Sequence, residues 1–133
     1  MLEQLLKKYS KDAKLVIKHY PLRTHKYARP ASIAALAADK QGKYSELTRI
    51  FYQKKNLNDE TVKQYAAEAG LDVAQLEKDM KDPALQQIIL QDINAARQVQ
   101  VRGVPALYID GKLVKNRSPI AMGQMIEAAL KKD

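Results

Sequence analysis

The sequence predicts an α/β domain on three observations: an apolar, β-branched block at residues 14–20, a series of separately punctuated amphipathic helices through the middle, and a proline-led hairpin near residue 110. The hairpin is the most specific of the three. In Val101-Arg102-Gly103-Val104-Pro105-Ala106-Leu107-Tyr108-Ile109-Asp110-Gly111-Lys112-Leu113-Val114, the pair Asp110-Gly111 lies between two runs rich in branched and aromatic side chains. A two-residue turn of the hand that suits twisted strands needs positive φ, which Asp tolerates and Gly adopts freely. Pro105 lacks an amide hydrogen, so it opens a strand and does not sit within a ladder. Gly103-Val104 ahead of it makes this the kind of place where a cis peptide is used.

The other elements follow in chain order. Leu2, Leu5, Leu6 and Tyr9 share one helical face, and this helix begins with no capping residue ahead of it, so it reads as the second half of a longer helix. The central block of 14–20 reads as a buried strand, stopped by Pro21. From about Tyr27, Ala31, Ala34, Ala35 and Ala38 line up on one face, with Pro30 confined to the first turn and Gly42 as the stop. A helix over about 44–54 groups Leu47, Ile50 and Phe51. Asn58 caps the next, with Leu57 and Val62 as a hydrophobic staple and Gly70 as a left-handed stop. Asp72 with Gln75, and a Leu71–Leu76 staple, repeat the device. Asp82-Pro83 then supplies a cap and first residue for a long helix to about Gln98, on which Asp92 and Arg97 read as solvated. Ser118-Pro119 starts a last helix with Met122, Met125, Ile126, Ala129 and Leu130 as its apolar stripe.

Composition narrows the function classes. With 133 residues, one domain is expected, its core built from Leu, Ile, Val, Ala and Tyr because the chain has no Trp and a single Phe. The net charge of +8 is concentrated: residues 1–55 hold 13 bases and 4 acids, while the remainder is nearly neutral. These bases are spread over predicted element faces, without the clustering or interleaved aromatics of nucleic-acid readout, so no nucleic-acid partner is expected. No apolar run is long enough to span a bilayer, and the first residues lack the order of a secretion signal. There is no cysteine, which removes disulfides, thiolate nucleophiles and thiolate ligands together. His19 and His25 do not have the usual spacing of a metal-ligand pair, so structural or surface roles are expected, with no metal and no cofactor.

Two segments in the right order carry a family resemblance. Leu15-Val16-Ile17-Lys18-His19-Tyr20-Pro21-Leu22, followed by His25 and Ala28-Arg29-Pro30-Ala31, resembles the second strand and helical entry of the DsbA-like branch of thioredoxin-fold disulfide oxidoreductases. Gly103-Val104-Pro105-Ala106-Leu107-Tyr108-Ile109-Asp110-Gly111-Lys112 resembles that family's cis-proline loop and hairpin. The resemblance covers essentially the whole chain. It implies a single thioredoxin-like domain over 1–133, with a helical insertion at about 27–98 and a sheet from 14–20, 105–110 and 112–116. It also implies a substrate-binding loop at Gly103, Val104 and Pro105.

The family's first strand and Cys-x-x-Cys motif match nothing here. Thiol exchange needs an attacking thiolate, so no catalytic residue is expected within these 133 residues. The resemblance thus implies a truncated or fragment form of an oxidoreductase that forms or isomerises disulfides in secreted proteins, typically in the periplasm or another extracytoplasmic compartment. The alternative is a redox-dead module that binds a peptide or protein partner. Loss of the family's first strand would separate the second strand from the proline-led one by about twice the ~4.8 Å strand spacing. Open sheet edges of that kind lead to an expectation of a homodimer or other self-association.

Overall fold

Small side chains and local caps determine most of this architecture. The computed structural model describes residues 2–131. In it, α1 spans Leu2–Lys8, α2 Ala28–Asp39, α3 Tyr44–Lys54, α4 Asp59–Glu68, α5 Val73–Met80, α6 Pro83–Gln98 and α7 Pro119–Leu130. Between α6 and α7 lie β1, Tyr108–Ile109, and β2, Lys112–Leu113. The chain divides into two compact units, one made of Met1–Ile17 with Gln100–Asp133 and the other of Lys18–Val99.

The unit Lys18–Val99 is helical. Ala34, Ala37 and Ala38 of α2 are wholly buried, and alanine's small side chain lets α3, α5 and α6 pack closely around it. Leu47, Phe51, Val62, Tyr65, Leu76, Leu85 and Ile89 fill the core from the remaining helices. Asn58 caps α4 by accepting from Thr61 N at 2.8 Å, and Thr61 Oγ1 accepts the Asn58 amide at 2.9 Å. At α5, Asp72 Oδ1 accepts from Gln75 N at 3.1 Å, but the reciprocal half of the box is absent. The Gln75 side chain turns to Asp79 instead, and the Asp72 amide donates to Gln41 Oε1 at 2.9 Å. The cap therefore reaches back to the turn after α2, a long-range partner that local spacing cannot reveal. Asp82 Oδ1 accepts from Ala84 N, with Pro83 in the first turn of α6.

The other unit holds α1, the hairpin and α7. Ser118 Oγ accepts from Ala121 N at 3.1 Å and starts α7, whose Met122, Gly123 and Ile126 are buried. Asp110 and Gly111 have φ of +50° and +81°, so the turn forms as their residue types predict. Tyr108 pairs with Leu113 and Ile109 with Lys112. The ladder is shorter than the expected 105–110 and 112–116: residues 103–105 bend ahead of it, and past the paired residues it is continued by the Val114 amide donating to Leu107 O.

The largest departure from expectation is at residues 14–20. They form no strand, and among the described residues 14–21 make no backbone–backbone hydrogen bond. Leu15, Val16 and Ile17 are 43%, 61% and 52% exposed. A buried strand needs a hydrogen-bonded neighbour on at least one side, and the described residues provide none, so the apolar block alone does not make a strand.

Candidate functional site

The loop expected to bind substrate lies just ahead of β1. Residues 102–106 are all exposed, Val104 at 47%, and the Val104–Pro105 peptide is cis. Gly103 has open space around it, with nothing within 4 Å of where a Cβ would stand. Behind the loop, Val114 N donates to Leu107 O at 2.8 Å and extends the register of the hairpin by one bond. Gly103, Val104 and Pro105 are thus presented to solvent from an ordered base. They offer apolar surface and backbone groups but no nucleophile or general base.

Beside the hairpin a shallow groove of about 440 Å³ runs between β2 and α7, floored by Leu113, Ala121, Met125 and Ala128 and edged by Lys115 and Gln124. Its side chains are almost all apolar or amide, so it has the character of a packing groove and lacks chemistry of its own.

The unit Lys18–Val99 contains a polar cluster that spacing along the chain did not disclose. Asp92, read as solvated from its position on α6, is only 9% exposed. Its Oδ2 accepts the His19 backbone amide at 2.9 Å, and Lys18 Nζ lies 3.7 Å from Oδ1. The His19 ring stands edge-on to Tyr44, with Nε2 3.1 Å from the phenol oxygen. Burial drives the imidazole pKa below its ordinary value, partly offset by the attraction of Asp92. The Tyr44 phenol is pushed up to about 12, chiefly by burial and then by Tyr52, Asp39 and Asp92. Asp92 and His19 are 73 residues apart in the chain, so only the folded path brings them together. His25 is exposed, its amide donating to Leu22 O in a turn. Among the described residues no group of three or more His, Cys, Asp or Glu side chains is placed to hold a metal ion.

These features can be set beside known proteins. The family model described as Thioredoxin matches residues 1–128, and the chain belongs to that family. The chain is also similar to proteins named as Na(+)/H(+) antiporters. One is NhaA 1 of Mycolicibacterium gilvum (strain PYR-GCK), 28% identical over 124 residues that cover 90% of this chain and 20% of that protein. Another is NhaA of Herminiimonas arsenicoxydans, 28% identical over 108 residues, covering 80% of this chain and 17% of that protein. The chain spans about a fifth of the length of the curated relatives it matches. No solved structure matches it. No helix among the described residues is long and apolar enough to cross a membrane.

Membership of the thioredoxin family agrees with a mixed architecture of helices and a small sheet. Thiol–disulfide exchange needs an attacking thiolate, and these 133 residues hold no cysteine.

Proposed function

We propose that these 133 residues are the substrate-side part of a DsbA-like thiol–disulfide oxidoreductase, with the redox-active cysteine pair supplied by residues outside this sequence. The observation that carries this reading is the exposed loop at 102–106, standing ahead of the hairpin in a cysteine-free chain of the thioredoxin family. Such a loop offers Val104 and Pro105 as an apolar platform for an extended peptide, while the bond-making sulfur has to come from elsewhere. The test is to place a strand and a Cys-x-x-Cys ahead of the chain and measure reduction of a protein disulfide. Turnover that falls when Val104 is replaced by Asp supports the reading. A folded but inactive product favours the second reading, a module that binds a peptide or protein without redox chemistry.

That second reading has its own support in the similarity to proteins named as antiporters, of which this chain matches only about a fifth. A thioredoxin-family segment within a much longer protein of different name is consistent with an accessory binding part.

The exposed apolar run Leu15-Val16-Ile17 supports a further part of the proposal, self-association. Unpaired backbone beside exposed β-branched side chains is an edge that a second copy can pair with. Light scattering over a concentration series tests it, and a monomer at every concentration would overturn it.

A further inference from the structure

The polar cluster at Asp92 has no part in the proposed substrate loop, and within the unit Lys18–Val99 it joins groups that lie far apart in the chain. It gathers four residues from three places: Lys18 and His19 from the irregular segment before α2, Tyr44 from the first turn of α3, and Asp92 from the middle of α6. Among the described residues, the Asp92 carboxylate is the hydrogen-bond partner of the segment's backbone between residues 14 and 21. A side chain here takes the place that a neighbouring strand takes in a sheet. Residues 18–20 are held down by this bond and by the seating of the His19 ring on Tyr44.

We propose that His19, Tyr44 and Asp92 form an acid-released latch that holds residues 18–20 against α3 and α6.

The two protonation states of His19 fit the cluster differently. With neutral imidazole carrying its proton on Nδ1, the Tyr44 phenol donates to Nε2. With imidazolium that bond must reverse, and a charged ring then occupies a partly buried place. The groups facing His19 are the carboxylate of Asp92 on α6 and the phenol of Tyr44 on α3, and the ammonium of Lys18 on its own segment lies 3.7 Å from Asp92 Oδ1. Asp39 on α2 and Tyr52 on α3 act on Tyr44 from further out. Asp92 favours the imidazolium, but burial outweighs it, and the pKa lies below the ordinary 6.5. The phenol, with its pKa at about 12, stays protonated throughout this range.

The sign follows directly. In the undocked segment His19 takes up a proton at its ordinary pKa, while in the docked segment it resists protonation. Docking is at full strength above about pH 6.5. It weakens as the pH falls from there to the docked pKa, by about tenfold in the docking constant per pH unit, and then levels off. The total loss in log units equals the difference between the docked and undocked pKa values.

The experiment is an NMR titration of the full chain carrying His25→Gln, so that one imidazole titrates, with the exchange protection of the His19 amide measured at each pH. Protection is expected to fall from about pH 6.5 down to the pH at which the imidazole titrates and to level off below it, while amides in the core of α2 and α6 keep theirs. In His19→Gln, which cannot titrate, the pH dependence is expected to vanish. An imidazole titrating at or above about 6.5 would overturn the latch. So would amide protection that holds constant from about pH 6.5 down to the imidazole's titration, or a His19→Gln chain that keeps the dependence. If His19→Gln does not fold, the titration of the chain that retains His19 decides alone.

Discussion

The Tyr9 phenol donates a 2.8 Å hydrogen bond to Glu127 Oε1, joining the end of α1 to α7 across 118 residues. The same two helices pack through Gly123, where a Cβ would stand 3.5 Å from the Tyr9 oxygen and 4.0 Å from Leu5 Cδ1. The pairing of α1 with α7 therefore rests on one long-range polar bond beside a glycine contact.

The bond to Glu127, followed by burial and the nearby carboxylate charge, raises the Tyr9 pKa above its ordinary value of 10.0. A raised pKa means that the folded chain keeps a proton the unfolded chain loses. The stabilisation is complete below about pH 10 and is lost as the pH rises through the folded value. Thermal melts over the alkaline range will show this decline, and Tyr9→Phe will melt lower at neutral pH and lack this component of the decline.

Gly123 lies inside α7 without a positive φ, and its neighbours stand at ordinary contact distance. Gly123→Ala is expected to stabilise the chain by about 0.5–1 kcal/mol, because alanine loses less backbone freedom on entering a helix. Chemical denaturation reads this as a higher midpoint with an unchanged slope.

Asn58 and Thr61 satisfy each other's backbone donors at the start of α4. Asn58→Ala should cost about 1 kcal/mol. The loss will be concentrated in α4, visible as faster amide exchange in its first turn.

Leu47 and Ile89 are 0% exposed in the core of the helical unit. Leu47→Ala should cost about 2–5 kcal/mol, and Ile89→Val only about 0.5–1.5 kcal/mol, since the cavity left by a single methyl group is small. Denaturant titrations of the two variants will separate these ranges.

Val16 is 61% exposed, so Val16→Lys should change stability by no more than about 0.5 kcal/mol. If copies pair through this edge, the added charge will lower the association constant measured by light scattering. An unchanged constant would show that copies do not pair through it.

Most of the helices were legible from the sequence because their signals are local. Asn58, Asp72, Asp82 and Ser118 each cap the helix that their position announces, and Gly70 takes the positive φ of +82° expected of a left-handed stop. The turn at Asp110-Gly111 was equally local. What failed depends on partners far along the chain. Residues 14–20 have strand-forming side chains, but strand formation needs a neighbour, and composition does not supply one. Asp92 looked solvated because a carboxylate in mid-helix usually is, and nothing near it in sequence announces the His19 amide. The Gly103–Val104–Pro105 loop was singled out by its order in the chain, whereas its exposure required the fold.

The unit containing α1 and α7 is discontinuous, with Lys18–Val99 inserted into it. This sets an order of events on the ribosome. The helical unit is complete once residue 99 has emerged, whereas Tyr9 must wait for Glu127, 118 residues later. At about 5–20 residues per second that wait is on the order of ten seconds. Through it, α1 remains without the helix it pairs with, and the apolar run after it stays as exposed as it is in the folded chain.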